Sequence, residues 1–255
     1  MEKTFTIIIP VRMDNDERRR NLETVLRWIA PLNVPVLLLE ADAQSELGFY
    51  KEKFPNLEYI FVYDENKVFH RTKYINVLLR KAKTEIVAVW DADIIVSYLQ
   101  IRETVEALSG GNGTIMYPYD GIVRMLPADK SDIFRDDLNL HAVERLSLPP
   151  LLGRRSCGGI YFVNKTRYFS IGGENENYIG WGPEDAERLR RALIMGHRVE
   201  WLSTGSAYHL YHATSSSNFL TSALTEMRKE FIRECSMDRE EMQQYINSEM
   251  PFRWA

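Results

Sequence analysis

The sequence predicts an α/β protein with a mostly parallel sheet, and three features carry that prediction. Short β-branched apolar runs recur through the first hundred residues, apolar stripes at helical spacing separate them, and carboxylates follow the runs. Thr4 to Pro10 is the first strand, closed by a polar turn. Leu22, Val25, Leu26 and Ile29 then repeat at helical spacing. Val36 to Leu39 is a buried strand ending in Glu40 and Asp42, and Tyr59 to Val62 is another. Tyr74, Ile75, Leu78, Leu79 and Ala82 form the inward stripe of a helix, and Ile86 to Trp90 is a fourth strand that stops at Asp91. Ligands of such sheets sit outside the carboxyl ends of the strands, where Glu40, Asp42, Asp91 and Asp93 all fall. From Gly110 to Arg155, glycines, prolines and charges alternate with short apolar pieces, which predicts loops and a small second sheet. Ile160 to Val163 reads as strand, Ala186 to Met195 as helix, Val199 to Leu202 as strand, and the charged stretch Thr221 to Asn247 as helix.

The bulk properties narrow the function. The 255 residues are 45% hydrophobic and 27% charged, which suffices for a sizeable core. A net charge of −4 argues against general nucleic-acid binding. Two cysteines, Cys157 and Cys235, make neither a disulfide framework nor a Cys-rich zinc site, and a reducing compartment is the default. No apolar run approaches the ~20 residues that span a bilayer, and the N-terminus has no signal-peptide pattern. The expectation is a cytoplasmic protein, with peripheral membrane contact left open.

Several groupings carry chemistry. In WDADIIV, Asp91 and Asp93 flank one residue after a strand. Alternate side chains of an extended chain point the same way, so both carboxylates can aim at one Mg²⁺ or Mn²⁺ ion; an Asp-rich turn is the other reading. In YHLYH, His209 and His212 stand three apart, and imidazole suits borderline divalent metals; half-buried structural histidines are the alternative. FHRTKYINV opens a helix with Arg71 and Lys73 in its first turn, where cations oppose the dipole unless an anion such as a diphosphate sits there. Phe69 before it can stack on a base or serve as a hydrophobic staple. Gly158 and Gly159 precede a strand, where glycine allows a bulge or close approach of a ligand. The Gly180-Trp181-Gly182 turn offers an indole face for a sugar ring or for the core. Glu184 and Asp185 follow Pro183, as ordinary helix-start acids or as a general base for an attacking hydroxyl.

In order, these motifs make the chain similar to the GT-A glycosyltransferases, in particular the β-1,4-galactosyltransferase family and its bacterial relatives. The resemblance runs from about Thr4 to about His212. FHRTKYINV resembles the family's FNRAKLLNV, WDADIIV its DVD strand end, CGGIYFVNKTRYFSIGGENENYIGWGPED its GWGGEDDD region, and YHLYH its metal-binding MxxH. The resemblance implies the GT-A fold, with a nucleotide-binding Rossmann-like sheet and a smaller acceptor-side sheet. It implies one domain over 1–215, with a nucleotide-sugar half at 1–100 and an acceptor half at 101–215, followed by a C-terminal helical extension at 216–255. The implied activity is transfer of a hexose or N-acetylhexosamine from a UDP-sugar to a hydroxyl of a glycan or glycolipid, with inversion and with Mn²⁺ or another divalent cation such as Mg²⁺.

Residue by residue, the resemblance places Pro10, Val11 and Arg12 along the nucleotide pocket and Phe69, Arg71 and Lys73 on the uridine diphosphate. Asp91 would bond the ribose or donor sugar, and Asp93 and His212 would hold the metal. Trp181 and Glu184 would hold donor and acceptor sugars, and Asp185 would be the base. Glu40 is placed near the nucleoside by analogy with related folds, and Gly159, Tyr178 and Trp181 line the pocket walls that select the sugar. The chain departs from the family at three positions. His209 stands where the family has its thioether metal ligand, Pro183 replaces a glycine, and Asp14 stands where a second arginine is common. A retaining transferase, a sugar nucleotidyltransferase and a non-catalytic module that binds nucleotide sugars or glycans are the alternatives. PVRMDNDERRR has no glycine for a nucleotidyltransferase loop, and a binding module needs neither a base nor a metal cluster.

Overall fold

A computed structural model describes residues 5–111, 113–213 and 221–250. Thr4 and the outer parts of the C-terminal extension, 216–220 and 251–255, lie outside the described residues. The elements in chain order begin with β1 (Phe5–Val11), α1 (Asp16–Ile29), β2 (Val36–Asp42), α2 (Tyr50–Lys53), β3 (Leu57–Tyr63), α3 (Arg71–Lys81), β4 (Ile86–Trp90) and β5 (Ile94–Ile95). There follow α4 (Tyr98–Gly110), β6 (Gly113–Tyr117), β7 (Val123–Met125), α5 (Ala128–Asp137), α6 (Leu140–Glu144), β8 (Ile160–Asn164), α7 (Lys165–Ser170), α8 (Glu184–Ile194), β9 (Arg198–Trp201), β10 (Ala207–His209), α9 (Thr221–Cys235) and α10 (Arg239–Ser248).

Seven strands form the main sheet in the order β3-β2-β1-β4-β8-β6-β9. β1 is buried along its whole length, as a central strand covered on both faces is, and its one polar side chain, Thr6, is hydrogen-bonded to the Thr84 hydroxyl at 2.8 Å. Pro10 is tolerated there because β1 pairs with β4 only from Phe5 to Ile8, so the missing N–H falls beyond that ladder. All pairings in the first half are parallel. β8 runs antiparallel between β4 and β6, a reversal that the alternating β-α pattern does not announce. A second sheet, β5-β10-β7, stands beside the first and joins segments far apart in sequence.

The expected strands and helices of the first hundred residues are present; β2 and β3 each run three residues longer than their apolar runs, and β4 matches its run. The expectation of loops from Gly110 to Arg155 needs correction. β6 belongs to the main sheet, and α5 fills part of the stretch by burying Ser131, Phe134 and Arg135. The small second sheet expected there does exist, through β7. α4 opens on a capping box at Ser97 and buries Ile101, Thr104, Val105 and Leu108. The charged C-terminal stretch is two helices rather than one, because Asp238 caps a new helix with its own capping box to Glu241. Among the described residues no helix is long and apolar enough to cross a membrane.

Candidate active site

A cleft of about 360 Å³ opens at the carboxyl ends of β1 and β4. Pro10, Val11 and Phe69 line it together with Arg71 and Asp91 and with Trp181, Glu184 and Asp185. Asp93, His209 and His212 close one end.

The chain does not stay extended beyond β4. It turns at Asp91, with the Ile94 N–H donating to the Asp91 carbonyl at 3.3 Å. The two carboxylates therefore diverge, which corrects the expectation that they share one target. Asp91 accepts from Arg71 Nε at 3.1 Å and Nη2 at 2.5 Å. Asp93 turns to the histidines: its Oδ1 lies 3.6 Å from His209 Nε2 and its Oδ2 3.3 Å from His212 Nε2. Tertiary structure makes this pairing, because β10 lies antiparallel to β5 with His209 opposite Ile94.

One potential ligand atom from each of Asp93, His209 and His212 lies within 4.8 Å of the others. The outer nitrogens decide how the rings face. His209 Nδ1 meets the Leu210 carbonyl at 2.8 Å and His212 Nδ1 the Ala213 carbonyl at 3.0 Å. A carbonyl only accepts, so Nδ1 carries the proton in each ring and each Nε2 is left for the cleft. Two imidazoles and a carboxylate suit a borderline divalent cation such as Mn²⁺. Burial works against the charge on Asp93, but His209 and His212 outweigh it and hold its carboxyl below the ordinary range. The hydrogen bond to Asp93 raises the pKa of His212 in return, against partial burial.

Asp185 sits in the first turn of α8 and is held from below. Its Oδ1 accepts from Arg188 Nη2 at 2.6 Å, and Arg71 Nη1 is 4.0 Å away. Arg188 is fully buried, donates to both oxygens of Glu174 at 3.3 Å and to the Cys157 carbonyl at 2.8 Å, and lies 3.7 Å over the Tyr161 ring. A guanidinium fixed on so many sides is a rigid mount for a carboxylate. Gly158 leaves the room that the carboxylate occupies. Glu184 is buried and accepts from the Gly182 N–H at 3.1 Å. Burial, reinforced by the neighbouring Asp185 charge, pushes its carboxyl up to about 8. At neutral pH it therefore holds a proton and can donate a hydrogen bond. Trp181 is 54% exposed at the cleft mouth.

Not every expected residue reaches the cleft. Arg12 lines it, but its guanidinium is committed to the Ala41 carbonyl at 2.8 Å, the Asn66 carbonyl at 2.5 Å and Asp64 Oδ2 at 2.8 Å. Lys73 is exposed outside the lining, 5.9 Å from the Tyr74 ring. Glu40 is fully buried and accepts from the Glu46 and Leu47 amides and from the Tyr59 hydroxyl. Tyr178 is buried too, and its hydroxyl binds Glu234 at 3.0 Å. Gly159 adopts φ +80°, and a Cβ there would press on Ile94 at 3.1 Å, so packing and backbone both require glycine. Glu40, Tyr178 and Gly159 sit in the scaffold around the cleft, whereas Lys73 lies on the protein surface away from it. Conversely, Met13, Asp14, Arg18, Lys67 and Ala92 line the cleft without having drawn notice in that role. Gly158, Arg188 and Asp64 support it from behind, and only the paired glycines left a sequence signal.

The architecture has clear counterparts among solved structures. The crystal structure of S. aureus TarS 1–349 in complex with UDP-GlcNAc superposes with a TM-score of 0.62 at 14% identity, over 97% of this chain and 71% of that one. The crystal structure of GalNAc-T7 with UDP, GalNAc and Mn²⁺ gives a TM-score of 0.58 at 14% identity, over 98% of this chain and 53% of that one. The fold is that of the GT-A glycosyltransferases. Within it, residues 139–213 match the family described as the N-terminal domain of galactosyltransferase, and that span carries Gly158, the Trp181 turn, Asp185 and both histidines. No curated protein matches the chain by sequence. The chain spans about half the length of the GalNAc-T7 structure and about seven-tenths of the TarS one. At this level of identity, the GT-A likeness establishes the architecture.

Proposed function

We propose that this GT-A chain is a divalent-cation-dependent, inverting glycosyltransferase that moves a hexose or N-acetylhexosamine from a UDP-sugar to a sugar hydroxyl. One observation carries the reading: a single cleft gathers the Asp93-His209-His212 cluster, the Arg71–Asp91 pair and the mounted Asp185. A UDP-GlcNAc complex and a UDP, GalNAc and Mn²⁺ complex on the same fold support the donor class. Residues 1–215 act as one catalytic unit, with the nucleotide-sugar half at 1–100, the acceptor half at 101–215 and the C-terminal helices bracing the latter.

Asp93, His209 and His212 would hold the cation. When bound, it neutralises charge growing on the leaving diphosphate. Pro10, Val11 and Phe69 form the wall for the nucleoside, and Arg12 stiffens that wall from behind. Asp91 accepts from a sugar or ribose hydroxyl while Arg71 keeps it oriented. Trp181 offers its face to a sugar ring, and protonated Glu184 donates to an oxygen beside it. Asp185 takes the proton from the acceptor hydroxyl, whose oxygen attacks the anomeric carbon opposite the diphosphate. Arg188 keeps Asp185 turned toward that hydroxyl.

The test is a thermal-shift screen of UDP-sugars with and without Mn²⁺, followed by analysis of product configuration. A donor at about a hundredfold over its Kd adds ~2.7 kcal/mol, or about 5–10 °C in Tm for a chain of this size. A product that keeps the donor's anomeric configuration would overturn inversion. A chain stabilised by no UDP-sugar in the presence of Mn²⁺ would overturn the donor class.

A further inference from the structure

The cations that the sequence pointed to are largely committed elsewhere. Arg12 donates to Ala41, Asn66 and Asp64, Lys73 lies outside the cleft lining, and Arg71 gives two of its three nitrogens to Asp91. A nucleoside diphosphate carries two adjoining phosphates, and its binding requires donors with hydrogens to spare. Arg18 has them. It lines the cleft from the first turn of α1, at the metal-cluster end. Its positive charge is felt at both Asp93 and His212. Its Nε is shut off from solvent and has no hydrogen-bond partner among the described residues, with Asp14 Oδ1 nearby at 3.2 Å. The side chain is 29% exposed and lines the cleft. A cation in the first turn of a helix opposes the helix dipole, and an anion bound there removes that conflict.

We infer that Arg18 is a diphosphate-binding residue of this cleft, exchanging its loose pairing with Asp14 for the donor's phosphate oxygens. This rests on the UDP-sugar reading above and adds a contact that the strand-end arginine cannot make. Asp14 is then a competitor for the same guanidinium, and its removal favours the ligand.

The experiment measures Kd for UDP and for uridine, each with Mn²⁺, by calorimetry on wild type, Arg18→Ala, Arg18→Gln and Asp14→Asn. Loss of one charge-assisted phosphate contact weakens UDP by about 10- to 100-fold, and the expected result is that loss in both Arg18 variants with uridine affinity unchanged. Asp14→Asn is expected to bind UDP more tightly than wild type. Arg18→Gln keeps most of the aliphatic stem and guards against a folding defect, which Tm reports. Unchanged UDP affinity in folded Arg18 variants overturns the inference alone, as does an equal loss for uridine and UDP. A wild-type chain that binds neither ligand overturns the donor reading and this inference with it.

Discussion

A methyl group at Gly158 would strike the proposed base. A Cβ built there lies 2.9 Å from the Asp185 carboxyl carbon and closer still to Oδ2, whereas carbon atoms in contact sit about 3.5–4.0 Å apart. The carboxylate must retreat by roughly 1 Å. It cannot take Arg188 along, because that guanidinium is pinned by Glu174, the Cys157 carbonyl and the Tyr161 ring. Misplacing a reacting group by about 1 Å costs on the order of 10²-fold in rate, which corresponds to ~2.7 kcal/mol of barrier. Gly158, unlike Gly159, has no left-handed φ, so the backbone accepts alanine there without strain. Gly158→Ala is therefore expected to lower kcat about a hundredfold with unchanged Kd for UDP. The neighbouring control, Gly159→Ala, is expected to lower Tm instead, since it strains a φ of +80° and presses on Ile94. Steady-state transfer kinetics, calorimetry with UDP and melting curves separate these effects. A Gly158→Ala enzyme with wild-type kcat would refute both the steric argument and the role of Asp185.

Other outcomes follow from the titrating groups. The pKa of His212 is raised, chiefly by its hydrogen bond to Asp93, and its proton competes with a metal for Nε2. Mn²⁺ affinity should fall as pH drops through that raised value, by up to about tenfold per pH unit; calorimetry between pH 6 and 8 checks it, and a flat profile counts against the cluster as a metal site. Asp93→Asn should abolish Mn²⁺ binding in the same measurement. Glu234 is buried against Tyr178, Tyr245 and Asn175. Burial, with the nearby Glu187 charge, pushes its carboxyl up to about 8 from an ordinary 4.5. Between those values the folded chain keeps a proton that the unfolded chain has lost, so this group's contribution to stability declines as pH rises from about 5 to 8. Glu234→Gln removes that dependence, and its Tm advantage over wild type should be larger at pH 9 than at pH 5. Parallel Tm profiles for the two proteins would refute the assignment.

The sequence by itself determined the elements whose residues meet their partners locally. The continuous apolar runs of β1, β2 and β4 and the helical stripe of α3 are patterns within one segment, and such a pattern reports the burial of one element. It also placed the acids after β4 and the histidines of YHLYH among candidate ligands, because carboxylates and imidazoles are the side chains that bind divalent cations. Only the tertiary structure decided which candidates meet. The turn at Asp91 sends that carboxylate to Arg71 and its neighbour to the histidines, and the antiparallel register of β5 with β10 brings His209 to Asp93. It also drew Lys73, Glu40 and Tyr178 away from the cleft and put Arg18 into it. A side chain's direction depends on turn geometry and on what packs behind it, and neither is written in the spacing of a single chain segment. Arg188 shows the same limit: on sequence it is one more charge on a helix, and only the fold closes Glu174, Tyr161 and Asp185 around it.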